Sequence, residues 1–164
     1  MKIVIISDIH DNLHKLEKCL EICKEEKVEK ILCLGDVANK DTLLYLATNF
    51  KNNIFLVRGN ACSYPHSFVK TLTNVKYFEN IGVVNLDNLK IGIVHQPYKI
   101  ELLKENNKNN FDFIFYGHTH KPWIENEKNA YLANPGNLTG DVYSSTFAIL
   151  NSETKKIELK MINN

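Results

Sequence analysis

Arginine is nearly missing from this chain. Its 164 residues carry 20 basic and 19 acidic side chains, yet Arg58 is the sole guanidinium and lysine supplies the rest. A formal net charge of +1 is too balanced for a surface that binds nucleic acid or anionic membrane by charge alone. A DNA groove gains its affinity from many phosphate contacts, and a chain with one arginine is not built for that. Arg58 itself remains open to two readings, a bidentate phosphate contact or a structural ion pair.

Long apolar runs are missing too. Ile3-Val4-Ile5-Ile6 is soon followed by Asp8 and His10, which makes it too short for a signal peptide or a membrane span. No later stretch is long enough to cross a bilayer. Cysteine is sparse. Cys19, Cys23, Cys33 and Cys62 form no CxxC pair, and the first three fall inside predicted helix or strand. A reduced, cytoplasmic protein without structural disulfides is expected. No repeat, low-complexity tract or linker divides the chain, so residues 1–164 are read as one domain. Apolar residues at 44% and charged residues at 24% are ordinary for a globular protein.

What is present alternates regularly. Residues 2–6, 31–34 and 54–57 are apolar β-runs. Between them, Asn12 can cap a helix carrying Leu13, Leu16, Leu20 and Cys23 on one face, and Asp41 can cap a helix to about Asn49 with Leu43, Leu44, Leu46 and Ala47. This is the pattern of parallel βαβ units. The second half predicts a hairpin (83–86 and 89–94), a short helix near 99–106, an Asn/Lys-rich loop at 106–110 and a buried strand at 111–116. Short strands follow near 122–126, 129–133, 146–150 and 156–162. The expected fold is an α/β sandwich of two packed sheets with helices outside.

Polar ligand types cluster at the ends of these strands. Asp8, His10, Asp36, Asn60, His95, His118 and His120 each follow the C-terminal end of an apolar strand, where open α/β sheets bind ligands. Two carboxylates, one amide oxygen and four imidazoles form a mixed O/N set without thiolate, suited to Mn, Fe, Zn, Co or Ni. Seven ligands exceed what one ion with an open position needs; they fit two ions sharing a carboxylate. In an extended segment the D-x-H spacing puts Asp8 and His10 on one side, and the same parity would hold for His118 and His120.

The series Asp8-Ile9-His10, Gly35-Asp36, Gly59-Asn60, His95 and Gly117-His118-Thr119-His120 resembles the calcineurin-like metallophosphoesterase family. Asn134-Pro135-Gly136 and the short length resemble its small bacterial and archaeal phosphodiesterase branch. The resemblance runs from Ile3 to about Thr139. It implies a four-layer αββα sandwich of two mixed sheets flanked by helices. It also implies two divalent ions per chain, Mn²⁺ foremost with Ni²⁺, Zn²⁺, Fe²⁺ or Co²⁺ open. Asp8, His10 and His120 would hold the first, Asn60, His95 and His118 the second, and Asp36 would bridge them. A metal-bridging hydroxide would then attack phosphorus in line, with Asp36, Asn60 and His95 at the reacting centre. The substrate would be a small phosphate ester, with a nucleotide or cyclic dinucleotide open.

The chain departs from the family pattern in three places. Many members place histidine then aspartate after the asparagine, and the small branch often has cysteine then aspartate; here Ala61, Cys62 and Ser63 follow Asn60. Alanine donates no proton, so leaving-group assistance, typically worth ~10²–10⁴-fold, is lost unless Cys62 or His66 folds back to replace it. Aryl esters should therefore be preferred over alkyl esters. Gln96-Pro97 stands after His95, where a glycine is usual, and Asn137 stands where a serine often follows the Asn-Pro-Gly turn.

Other polar and aromatic residues have plainer readings. His14 reads as a solvated helix residue, His66 as a loop residue, Cys19, Cys23 and Cys33 as core, Lys24 to Lys30 as a solvated charge run. Asn134 to Gly136 reads as a turn closing the site wall, and Trp123 reads as core or surface packing sooner than as a cleft wall. The rival to an enzyme is a scaffold of the same fold, since the small subunit of the retromer coat shares the architecture and binds proteins. A homo-oligomer through the 83–94 hairpin is open; a membrane partner is not expected.

Overall fold

The computed structural model describes residues 1–108, 110–127 and 130–163. Strands β1 (Lys2–Ile6), β2 (Lys30–Cys33), β3 (Ile54–Val57) and β4 (Val75–Phe78) run parallel. They alternate with helices α1 (Leu13–Glu25), α2 (Lys40–Asn49) and α3 (His66–Val69). Strands β5 (Ile81–Leu86) and β6 (Leu89–Val94) form an antiparallel hairpin. A 3₁₀ turn at Pro97–Lys99 leads into α4 (Ile100–Asn106), followed by β7 (Phe113–Phe115), β8 (Trp123–Asn126), β9 (Tyr131–Asn134), β10 (Thr146–Asn151) and β11 (Lys156–Met161).

Among the described residues the strands make two mixed sheets, ordered β11-β10-β1-β2-β3-β4 and β5-β6-β7-β9-β8. Strand alternation sorts their side chains into three buried layers. Ile3, Ile5, Leu32, Leu34, Phe55 and Val57 face the second sheet and meet Ile91, Ile93, Phe113 and Phe115 there. Val4, Ile6, Ile31, Cys33, Ile54 and Leu56 face outward, where Leu16, Cys19 and Cys23 of α1 and Leu43 and Leu46 of α2 cover them. On the far side, Ile100 and Leu103 of α4 cover Val94, Ile114 and Leu132. The result is the four-layer αββα sandwich.

Several sequence expectations shift. The side chain of Asn39, not Asp41, caps α2, accepting from the Asp41 and Thr42 amides at 2.9 and 3.0 Å; Asp41 lies inside the first turn, where its charge still favours the helix dipole. Leu44 is exposed because the buried stripe is Leu43, Leu46 and Ala47, one residue off its own direction. Leu13, in the first turn of α1, is exposed as well. The hairpin begins at Ile81, and the 111–116 strand is pared to Phe113–Phe115. Neither α3 nor β4 was foreseen; each has four residues, and β4 is only half-buried, so neither shows a clear period. Asn129, at the start of the expected 129–133 strand, and Asn109, in the expected loop, lie outside the described residues. Among the described residues no helix is long and apolar enough to cross a membrane.

Candidate metal centre

The strand ends are stitched together before any side chain is considered. After β1 the amides of Ile9 and His10 both donate to the Asp36 carbonyl at 3.0 Å, and Asp8 N–H donates to Gly35 O at 3.1 Å. After β7, Gly117 N–H donates to His95 O at 2.9 Å. His118 N–H donates to Asp8 Oδ2 at 3.0 Å, joining the two sheets. These hooks need sharp turns. Asp8, His10, Asp36, His118 and His120 all take positive φ, between 43° and 67°. Such left-handed backbone is uncommon outside glycine and concentrates at functional sites. Neither segment is extended, then: Asp8 and His10 still meet in one group, through a turn, while His118 and His120, expected on one side, part company.

Among the described residues two groups of side chains could hold a metal ion: Asp8, His10 and His120, and Asp36, His95 and His118. Within the first, Asp8 Oδ1 stands 3.8 Å from His10 Nε2 and 3.3 Å from His120 Nε2. In the second, Asp36 Oδ2 stands 3.3 Å from His95 Nε2, and Asn60 Oδ1 stands 2.9 Å from that same nitrogen. Asp36 Oδ2 is also 3.7 Å from His10 Nε2, so this one oxygen reaches both groups.

Each carboxylate has one oxygen held and one presented. Asp8 Oδ2 accepts from Ser7 Oγ at 2.5 Å and from the His118 amide, while Asp36 Oδ1 accepts from the Ala61 amide at 2.7 Å. Asp8 Oδ1 and His10 Nε2 are buried without a hydrogen-bond partner among the described residues. Orphaned polar atoms cost free energy that a bound cation would recover. At His95, Nδ1 lies 2.8 Å from the Leu34 carbonyl. A carbonyl only accepts, so Nδ1 carries a proton, and in the neutral ring Nε2, which faces Asp36 and Asn60, is the nitrogen left free to ligate. Carboxylate, amide oxygen and imidazole converging in this way suit a cation, and the O/N set fits a divalent transition ion.

The electrostatics agree. His10 is raised above its ordinary value first by the Asp8 carboxylate, with burial opposing and Asp36 adding; at 3.8 Å this is charge attraction more than a hydrogen bond. Burial alone would lower His95, but its contact with Asp36 outweighs that and raises it. Burial would raise Asp36, yet His95, the Ala61 amide and His10 hold it below the usual carboxylate range.

Outside these two groups, several residues resolve. Arg58 donates to the carbonyls of Cys62 and Tyr64 and to Tyr77 Oη at 3.0–3.3 Å, and pairs with Glu79 at 3.9 Å; it latches the loop after β3. Cys62 is buried in the outer core with Sγ 3.2 Å from Tyr64 Oη, and His66 packs on Tyr77 with ring centroids 4.8 Å apart. Neither folds back to replace the group missing at Ala61. Gln96 Nε2 reaches Asn60 Oδ1 at 3.5 Å. Asn134 does more than turn the chain: its amide donates to Gly117 O and Thr119 Oγ1, at 3.1 and 2.9 Å. Buried Asn137 donates to His120 O at 3.0 Å and accepts from Gly140 N. Trp123 is 49% exposed and so outside the core, with Lys121 Nζ over its ring at the surface. Asp141 Oδ1, 3.3 Å from His120 Nδ1, was not foreseen; it lies in an irregular loop with no motif around it.

This fold and this arrangement of ligand types define a metal-dependent phosphoesterase. A family model for the calcineurin-like phosphoesterase superfamily domain matches residues 1–155, and the chain belongs to that family of metal-dependent phosphoric ester hydrolases. It is 30% identical over 164 residues to Phosphodiesterase MJ0936 of Methanocaldococcus jannaschii, covering 95% of this chain and 96% of that one. A solved structure described as a novel archaeal phosphodiesterase superposes with a TM-score of 0.89 at 28% identity, over 99% of this chain and 100% of that one. Vps29 of Chaetomium thermophilum shares the fold at 19% identity, with a TM-score of 0.73 over 99% and 96% of the two chains.

Proposed function

We propose that the chain is a dinuclear phosphodiesterase, with Mn²⁺ as its preferred ion. The observation that carries this reading is Asp36: one oxygen is pinned by the Ala61 amide and the other lies within 3.7 Å of both ligand groups. Asp8, His10 and His120 would hold one ion, Asn60, His95 and His118 the other, and Asp36 both. Bound there, two ions supply a water of lowered pKa and positive charge for the phosphoryl oxygens.

The protein's own part is positioning. Leu34 O fixes the His95 tautomer, Asp141 holds the far nitrogen of His120, and Ser7 aims Asp8. Ala61 offers only a backbone N–H, and that is spent on Asp36. The leaving oxygen therefore departs without a side-chain proton donor from this position. We expect aryl phosphodiesters to be cleaved ~10²-fold or more faster than alkyl ones, the lower end of what a general acid supplies. Equal rates would sink this point. The four free, buried cysteines suit a reducing compartment such as the cytoplasm.

The test is hydrolysis of bis-p-nitrophenyl phosphate by metal-stripped protein before and after Mn²⁺ is added, beside Asp36→Asn. Turnover that needs metal and is lost in the variant supports the proposal. A non-catalytic scaffold is the competing reading, favoured by the loss at Ala61 and by the fold shared with Vps29. Full metal loading with no turnover of any diester would favour it.

A further inference from the structure

Beside the ligand groups lies a groove of ≈ 400 Å³ lined by Tyr116, Thr119, Lys121, Trp123 and Tyr143. That is within the size range of small-molecule sites. It adjoins the centre through covalent and hydrogen-bonded neighbours. Thr119 is the residue between His118 and His120. Asn137 donates to the carbonyls of both His120 and Tyr143, at 3.0 and 3.4 Å, so one groove wall is tied to a ligand's backbone. Two large aromatics stand open there: Trp123 is 49% exposed and Tyr143 43%. Trp123 begins β8, the outer strand of its sheet, and each of that strand's four residues is exposed, so no core packing explains the ring. Lys121 Nζ lies over the Trp123 ring, 5.3 Å from its centre, and Trp123 Nε1 donates to Glu125 Oε2 at 3.4 Å, so the ammonium at the groove has a carboxylate near it.

We propose that this groove is the subsite for the base of a nucleotide-type phosphate ester, with the phosphate at the two ligand groups. It rests on the phosphodiesterase reading and names the substrate class. Exposed aromatic faces stack on any planar base, and an ammonium beside them suits an anionic ligand. Stacking of this kind tightens binding by roughly five- to a hundred-fold.

The chain has one tryptophan, so its emission reports this groove directly. Metal-loaded protein is titrated with adenosine 5′-monophosphate and with ribose 5-phosphate, which share the phosphate and differ in the base. Calorimetry gives both affinities while fluorescence follows Trp123. The nucleotide should bind at least about five-fold tighter and change Trp123 emission saturably, and Trp123→Ala or Tyr143→Ala should narrow that advantage. Equal affinities with unchanged emission would overturn the subsite while leaving the phosphodiesterase reading intact. Binding of neither compound would overturn the phosphate-site reading and the subsite with it.

Discussion

Asp36 shows how much one side chain can carry. Its two oxygens have different tasks, and the loop amide that holds the first frees the second for both ligand groups. Residues one step removed from the ligands should matter by the same logic. Asp141 fixes the ring of His120 from the far side, and such partners are worth about 10–100-fold in metal affinity. Asp141→Asn should weaken Mn²⁺ binding by at least the lower figure, measured by titration calorimetry; an unchanged affinity would show the contact to be incidental. The titrations give a second test, in metal-free protein. The folded-state values of His10 and His95 lie above their ordinary 6.5. Their contribution is therefore complete below that pH and is lost as pH rises through the raised values. Asp36 is shifted down from 3.8, so its contribution is present above that value and lost as acid reaches the lowered one. The melting temperature of metal-free protein should fall as pH rises past 6.5, while the increment added by metal grows, since bound histidines must be neutral. A metal-free melting temperature that climbs through this window would contradict the assignment.

At the scale of elements, strands deliver the candidate ligands and the turns after them set the aim. The strand ends were legible in the sequence because apolar β-runs stop abruptly at Asp8, Asp36, Asn60, His95 and His118. The turns were not. Five left-handed residues, none of them glycine, cannot be read from a spacing rule, so the extended parity assumed for His118 and His120 failed. Asn137, Asn134 and Asp141 were obscure for a related reason: their partners lie on loops that meet only in the folded protein. Gly59 shows how tight these turns are. A Cβ there would sit 2.1 Å from Asp36 Oδ1, displacing the oxygen that the Ala61 amide holds. Gly59→Ala should cost about 1–3 kcal/mol in urea unfolding and also reduce metal binding. Asn39→Ala should cost about 1 kcal/mol through the lost cap of α2 and leave metal binding as it was. Equal effects on metal binding from the two variants would separate the turn from the centre.

Across the whole molecule, the centre is a junction between the sheets. Asp8, Asp36 and Asn60 follow strands of the first sheet, and His95, His118 and His120 follow strands of the second. Ions bound between them would tie the layers together as well as serve chemistry. With metal at 100 times its dissociation constant, each site adds about 2.7 kcal/mol, so chelation should lower the melting temperature by on the order of 5–10 °C per site. The central claim is that two ions sit side by side and share Asp36. The most direct measurement is electron paramagnetic resonance of the Mn²⁺-loaded protein with the bound metal counted. Two ions per chain are expected, with an exchange-coupled spectrum that Asp36→Asn abolishes. One ion per chain, or the six-line signal of isolated Mn²⁺ at full loading, would contradict it.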